Sequence, residues 1–94
     1  MIHVGVLKID FHISESSTLK EKRVVMQRLR DRVRNNFNVS IAEVDKHDKW
    51  QAASMGISCV SNDKKYIDGL LNKIKNFFEQ NRSIIIMDHQ IEIM

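Results

Sequence analysis

Ninety-four residues, 43% hydrophobic and 29% charged, are ordinary globular chemistry: enough chain for one layered core, too little for two domains. Fifteen Lys and Arg against 12 Asp and Glu leave a net charge of +3, far from the imbalance that keeps a chain unfolded. No apolar run reaches the ~18 residues that cross a bilayer, and a single cysteine, Cys59, excludes an internal disulfide.

The first segment, Ile2 to Ile13, alternates: Leu7, Ile9, Phe11 and Ile13 share one face, and Lys8, Asp10 and His12 share the other. A period of two with one apolar face predicts a half-buried strand. The opening M-I-H-V-G-V-L-K-I-D has no basic stretch ahead of an apolar one, so it reads as this strand rather than as an export signal. With the sparse cysteine usage, the expected compartment is the cytoplasm. S-E-S-S (Ser14–Ser17) breaks the strand, and Thr18 to about Asn36 is predicted helical. Thr18 and Glu21 have capping-box spacing, and Leu19, Met26, Leu29 and Val33 form one stripe, with Val25 at its margin and Phe37 continuing it.

Val39–Val44 is a second strand, D-K-H-D-K a polar connection, and Trp50–Val60 a third strand with Met55, Ile57 and Cys59 on one face. Within it, Cys59 reads as a buried structural thiol. Ser61-Asn62-Asp63 supplies capping chemistry for a helix from Asp63 to about Asn81, with Ile67, Leu70, Leu71, Ile74, Phe77 and Phe78 towards the core. Ser83–Ile93 is the last strand. The order β-α-β-β-α-β predicts one domain over residues 1–94, an α+β two-layer sandwich of the ferredoxin-like kind. The expected four-stranded sheet is antiparallel or mixed, ordered 4-1-3-2, with both helices on one face. Strands one and three are expected to run parallel, which would bring both helix starts to one edge.

Charge is concentrated in the first helix. Thr18–Asn36 carries seven cations (Lys20, Lys22, Arg23, Arg28, Arg30, Arg32, Arg34) and two acids (Glu21, Asp31), a local excess of +5. Cations in a first turn oppose the helix dipole at roughly 0.3–1 kcal/mol each. The Arg28/Arg32 and Arg30/Arg34 pairs cost about 0.2–0.5 kcal/mol each. Lys20, Arg23, Gln27, Arg30 and Arg34 form a flank about 21 Å long, suited to a polyanion such as an RNA backbone. Lys20, Lys22, Arg23, Arg30, Arg34, Lys64 and Lys65 are therefore the candidate anion- or RNA-binding residues. Lys22 stands apart, because its position falls near the apolar stripe, where it either snorkels to solvent or pairs with a carboxylate such as Glu43 or Asp10. A solvated basic face is the plain alternative for the whole flank.

Other chemistry is thin. His3, His12, His47 and His89 lack metal-ligand spacing, although His12 and His89 could approach each other across the first and last strands. Asp45, His47 and Asp48 read as a solvated hairpin. No phosphate-binding glycine loop or nucleophile elbow is present, so no catalytic residue, metal or cofactor is assigned. An acylphosphatase-like phosphate loop has no counterpart in I-S-E-S-S-T. The open face of strands one and three offers Lys8, Asp10, His12, Ser54, Gly56 and Ser58, which is not an aromatic base-stacking platform. That face suits a homodimer contact instead, and Trp50 is either a cover on the hairpin edge or a partner contact.

T-L-K-E-K-R (Thr18–Arg23), F-N-V-S-I-A-E-V (Phe37–Val44) and D-K-W-Q (Asp48–Gln51), followed by A-S-M-G-I-S-C-V-S, resemble the bacterial YlxP-like family of short proteins. The family's first motif usually begins S-L-K, and Thr18 here keeps the cap. The resemblance implies a ferredoxin-like fold and an association with translation and ribosome maturation, with no established catalytic residue to transfer. The expected function is a non-catalytic module that binds RNA phosphates, ribosomal RNA among them. The alternatives are a protein-interaction or homodimerisation module, and a small-anion binder or enzyme at the helix-start edge.

Overall fold

β1 (His3–Ile13) lies inside the sheet, and its alternation decides the architecture. Leu7, Ile9, Phe11 and Ile13 are buried on one face beneath two helices. The structure is a computed structural model, and it describes residues 1–14 and 16–94; Glu15, in the predicted break, lies outside the described residues. α1 (Leu19–Asn36) sends Met26, Leu29 and Val33 into the core, and α2 (Lys64–Glu79) sends Ile67, Leu71, Ile74 and Phe78. β2 (Ser40–Asp45), β3 (Ala52–Ser61) and β4 (Ile84–Ile93) complete the sheet. The strand order is β2-β3-β1-β4, which is the predicted 4-1-3-2 read from the other edge. The fold is ferredoxin-like.

One expectation fails. All three pairings are antiparallel, including β1 with β3, where His3 faces Ser61 and His12 faces Ala52. The physical reason is the short connection after β2. It is a hairpin, so β3 must reverse direction, while the helical crossover keeps β2 running with β1. The two helices therefore start at opposite ends of the sheet. The start of α2 lies beside the end of α1, where Lys65 and Tyr66 share a groove with Asn36, Phe37 and Asn38.

Each helix is seated differently. α2 lies so close to β1 at Gly5 that a Cβ there would collide with Cγ2 of Ile67 and touch Leu71. Glycine is required by that approach. On the open face, a bulge between Glu43 and Asp45 swings Val44 against Gly56, and Ser54 is fully buried, donating its hydroxyl to Asp10 Oδ1. The expected flat small-residue surface is thus partly filled by the protein's own side chains. Cys59 is buried as expected, and burial pushes its thiol pKa up.

Candidate functional site

The basic flank begins at a helix end that is already closed. Thr18 Oγ1 accepts from the Glu21 amide at 3.1 Å. The Glu21 carboxylate reaches back to the Ser17 hydroxyl at 2.9 Å and to the Ser17 amide at 3.4 Å. The Thr18 hydroxyl also donates to this carboxylate at 3.5 Å, so this is the predicted capping box with its backbone bond shifted by one residue, from the Thr18 amide to that of Ser17. The start of α2 is closed in the same manner. Asp63 Oδ1 accepts from the amides of Lys65 at 2.9 Å and Tyr66 at 3.4 Å. Carboxylates of the chain occupy both helix starts, so a phosphate at either would meet mainly side-chain donors, not an open row of amides.

Lys22 does not belong to the exposed set. It is 2% exposed, and its Nζ donates to the carbonyl of Lys46 at 2.7 Å and lies 2.9 Å from Glu43 Oε2. Of the two carboxylates that the sequence suggests, Glu43 is the partner, and Asp10 accepts from Ser54 instead. The contact with Oε2 is ionic rather than a well-directed hydrogen bond: among the described residues Oε2 has no hydrogen-bond donor, and the ammonium donates to the Lys46 carbonyl. Lys46 is the one non-glycine residue with positive φ (61°) among the described residues, so the Lys22 bond ends on a left-handed turn. A buried lysine held in this way presents no charge to a ligand on the surface, which removes Lys22 from the predicted anion-binding set.

Lys20, Arg23 and Arg34 are exposed, and Arg30 is half-buried. Arg30 donates to Gln27 Oε1 at 3.2 Å, and the Gln27 amide donates to Asp31 at 2.8 Å. Arg34 reaches the carbonyl of Ile41 at 3.5 Å, which places the flank above the β2 edge. Beneath it, Leu19, Lys22, Arg23, Met26, Arg30, Glu43 and His47 enclose a cavity of about 160 Å³. Lys64 and Lys65 sit at the far end of the sheet, so the predicted cluster of five cations at one edge does not form. The antiparallel β1–β3 pairing separates it.

His12 pairs with Ile85 and His89 with Ile9, so the two histidines lie on opposite faces of the sheet and do not converge. No three metal-ligating side chains come together among the described residues. Trp50 is 56% exposed and lines an open groove with His12, Asp48 and Gln51, which argues against its being a simple hydrophobic cover. Two features escaped the sequence reading. One is the left-handed turn at Lys46. The other is a groove of about 430 Å³ between the end of α1 and the start of α2, lined by Asn36, Phe37, Asn38, Lys65, Tyr66, Gly69, Leu70 and Lys73. The signal for the groove was Gly69, an unexplained glycine inside an otherwise strong helix.

Residues 4–91 match the family described as protein of unknown function, DUF503. The chain belongs to that family. A relative described as uncharacterized protein YlxP, from Bacillus subtilis (strain 168), is 37% identical over 76 residues, or 81% of this chain and 83% of the relative. Among solved structures, the de novo designed protein Foldit4 superposes on this DUF503 chain with a TM-score of 0.55 at 14% identity, covering 98% of this chain and 96% of that one. That likeness concerns the fold alone. Ribosomal protein S6 of the 30S subunit from Thermotoga maritima gives a TM-score of 0.47 at 11% identity, covering 97% and 88%. Among the described residues, no helix of this DUF503 protein is long and apolar enough to cross a membrane.

Proposed function

We propose that this DUF503 protein binds structured RNA through phosphate contacts on the outer flank of α1. The observation that carries the reading is the separation of charge between the two layers. α1 has seven cations and two acids, and α2 has four cations and two acids; with the buried Lys22 left out, the helices together present a formal +6. With Glu43 paired to Lys22 beneath α1, the strands present Lys8 against Asp10, Asp45, Asp88 and Glu92, a formal −3. A polyanion is attracted to the helical layer and repelled by the open sheet face. Lys20, Arg23, Arg30 and Arg34 make the contacts, and Lys22 holds the helix in place beneath them. The translation association implied by the family resemblance points to ribosomal RNA.

Binding of a structured RNA measured across salt tests this. The wild type should weaken steeply with salt, and Lys20→Ala/Arg23→Ala should flatten the log–log slope by about 0.7–0.9 per lost contact. A salt-insensitive wild type, or an unchanged slope in the variant, overturns the reading.

A second reading rests on Trp50. Together with Ile85, also 56% exposed, it leaves an apolar edge on the open face that suits a second copy of this chain. On that reading, Trp50→Ala converts a dimer to a monomer in sedimentation and leaves RNA retention unchanged.

A further inference from the structure

We infer that the groove between the end of α1 and the start of α2 holds one unpaired nucleotide of a bound RNA strand. The inference rests on the proposed RNA binding and assigns it a second point of contact.

The leading observation is Gly69. It sits in the second turn of α2 with ordinary helical backbone, and a Cβ built there meets no atom within 4 Å. Neither conformation nor internal packing calls for glycine, although glycine in a helix interior is unfavourable relative to alanine. The space that it leaves open lies on the α2 wall of the groove. Tyr66, the only tyrosine, stands 56% exposed on the same wall, one residue past Lys65. Phe37 forms another wall and is fixed edge-on against Phe77, with centroids 5.7 Å apart at 82°. A planar base can enter between aromatic walls without requiring any particular sequence.

Charge selects the occupant. Lys65 and Lys73 flank the groove about 12 Å apart along the helix axis, and no carboxylate lines it among the described residues. Asn36 and Asn38 add amides that can meet a base edge. Aromatic walls, a cationic rim and amides together fit a base with its adjoining phosphates, and an unpaired base presents the open ring face that a duplex hides.

The single tyrosine makes the test direct. In a Trp50→Phe background, Tyr66 dominates the emission. Titration with a short single-stranded oligoribonucleotide should quench it, and an RNA duplex of the same length should not. Tyr66→Ala should weaken single-strand binding roughly tenfold. Gly69→Leu, which puts a side chain into the open space at the α2 wall, should do the same while retaining the helical circular dichroism of the wild type. Gly69→Ala should raise Tm by about 2–8 °C, separating the fold's preference from the ligand's. If RNA binds with the expected salt dependence but Tyr66→Ala and Gly69→Leu bind like the wild type, the groove assignment is wrong and the phosphate reading stands. If no RNA binds in any form, both readings fall.

Discussion

The two helix starts are built from the same parts and fastened by opposite means. Each is capped by an oxygen side chain, Thr18 for α1 and Asp63 for α2. Beyond the cap, α1 is held by a buried charge: Lys22 reaches under the helix to Glu43 and to the Lys46 carbonyl. α2 is held by close apolar contact, with Ile67 and Leu71 pressed onto the bare backbone of Gly5. A buried ion pair stabilises poorly compared with apolar packing, but it fixes position, because either partner alone is expensive to keep buried. α1 thereby carries a surplus of surface cations on a helix that cannot slide along the sheet.

Breaking the polar fastening should have the largest effect. Lys22→Met leaves Glu43 without its buried partner and should cost about 3 kcal/mol of unfolding free energy in urea. Lys22→Met/Glu43→Leu should recover most of that loss. If the double variant is no better than the single one, the pair is not what seats α1. The apolar fastening is tested by Gly5→Ala, which should cost about 1–3 kcal/mol through overpacking. Ile67→Leu moves the branch away from the collision and should relieve part of it. A Gly5→Ala protein as stable as the wild type would mean that α2 does not depend on that approach.

The caps themselves should rank below the fastenings. Asp63 serves two amides, so Asp63→Ala should cost about 1–2 kcal/mol. Thr18→Ala should cost about 0.5–1 kcal/mol, since Glu21 remains to hold the Ser17 end. Equal or reversed losses on thermal unfolding would show that Glu21 contributes nothing to the α1 start.

Most of this fold could be read from local pattern. The alternation of Leu7, Ile9, Phe11 and Ile13 and the stripe of Met26, Leu29 and Val33 each identify one buried face, and Thr18 marks the helix start to the residue. The structural role of Lys22 was legible from its place at the edge of the apolar stripe, but the choice between Glu43 and Asp10 was not, because it depends on which face of the sheet each carboxylate takes. Strand direction was where the reading failed. The apolar periodicity of Met55, Ile57 and Cys59 is identical in either direction, so it carries no information about whether β3 runs with β1 or against it. That information lay in the shortness of D-K-H-D-K, which can only make a hairpin. Missing it placed Lys64 and Lys65 beside Lys20. The groove was missed for a related reason: it is formed by the end of one helix and the start of another, and only the correct strand direction brings Asn36 to Tyr66.

The smallest effect probes the turn beneath the polar fastening. Lys46 is left-handed, which costs a residue with a side chain roughly 1 kcal/mol in isolation. Its carbonyl is turned towards Lys22 by that same conformation, so the strain and the ion pair are parts of one arrangement. Lys46→Gly removes the steric cost and adds unfolded-state entropy, and the two nearly cancel in the wild-type background. A change within about 0.5 kcal/mol is therefore expected there. In the Lys22→Met/Glu43→Leu background, the Lys46 carbonyl keeps the Lys49 amide at 3.1 Å but loses the ammonium, and the turn can relax without glycine. Lys46→Gly should then be destabilising rather than neutral. The sign of that difference, read as a double-mutant cycle on urea midpoints, reports whether the buried lysine holds the turn in its left-handed form or merely finds it there.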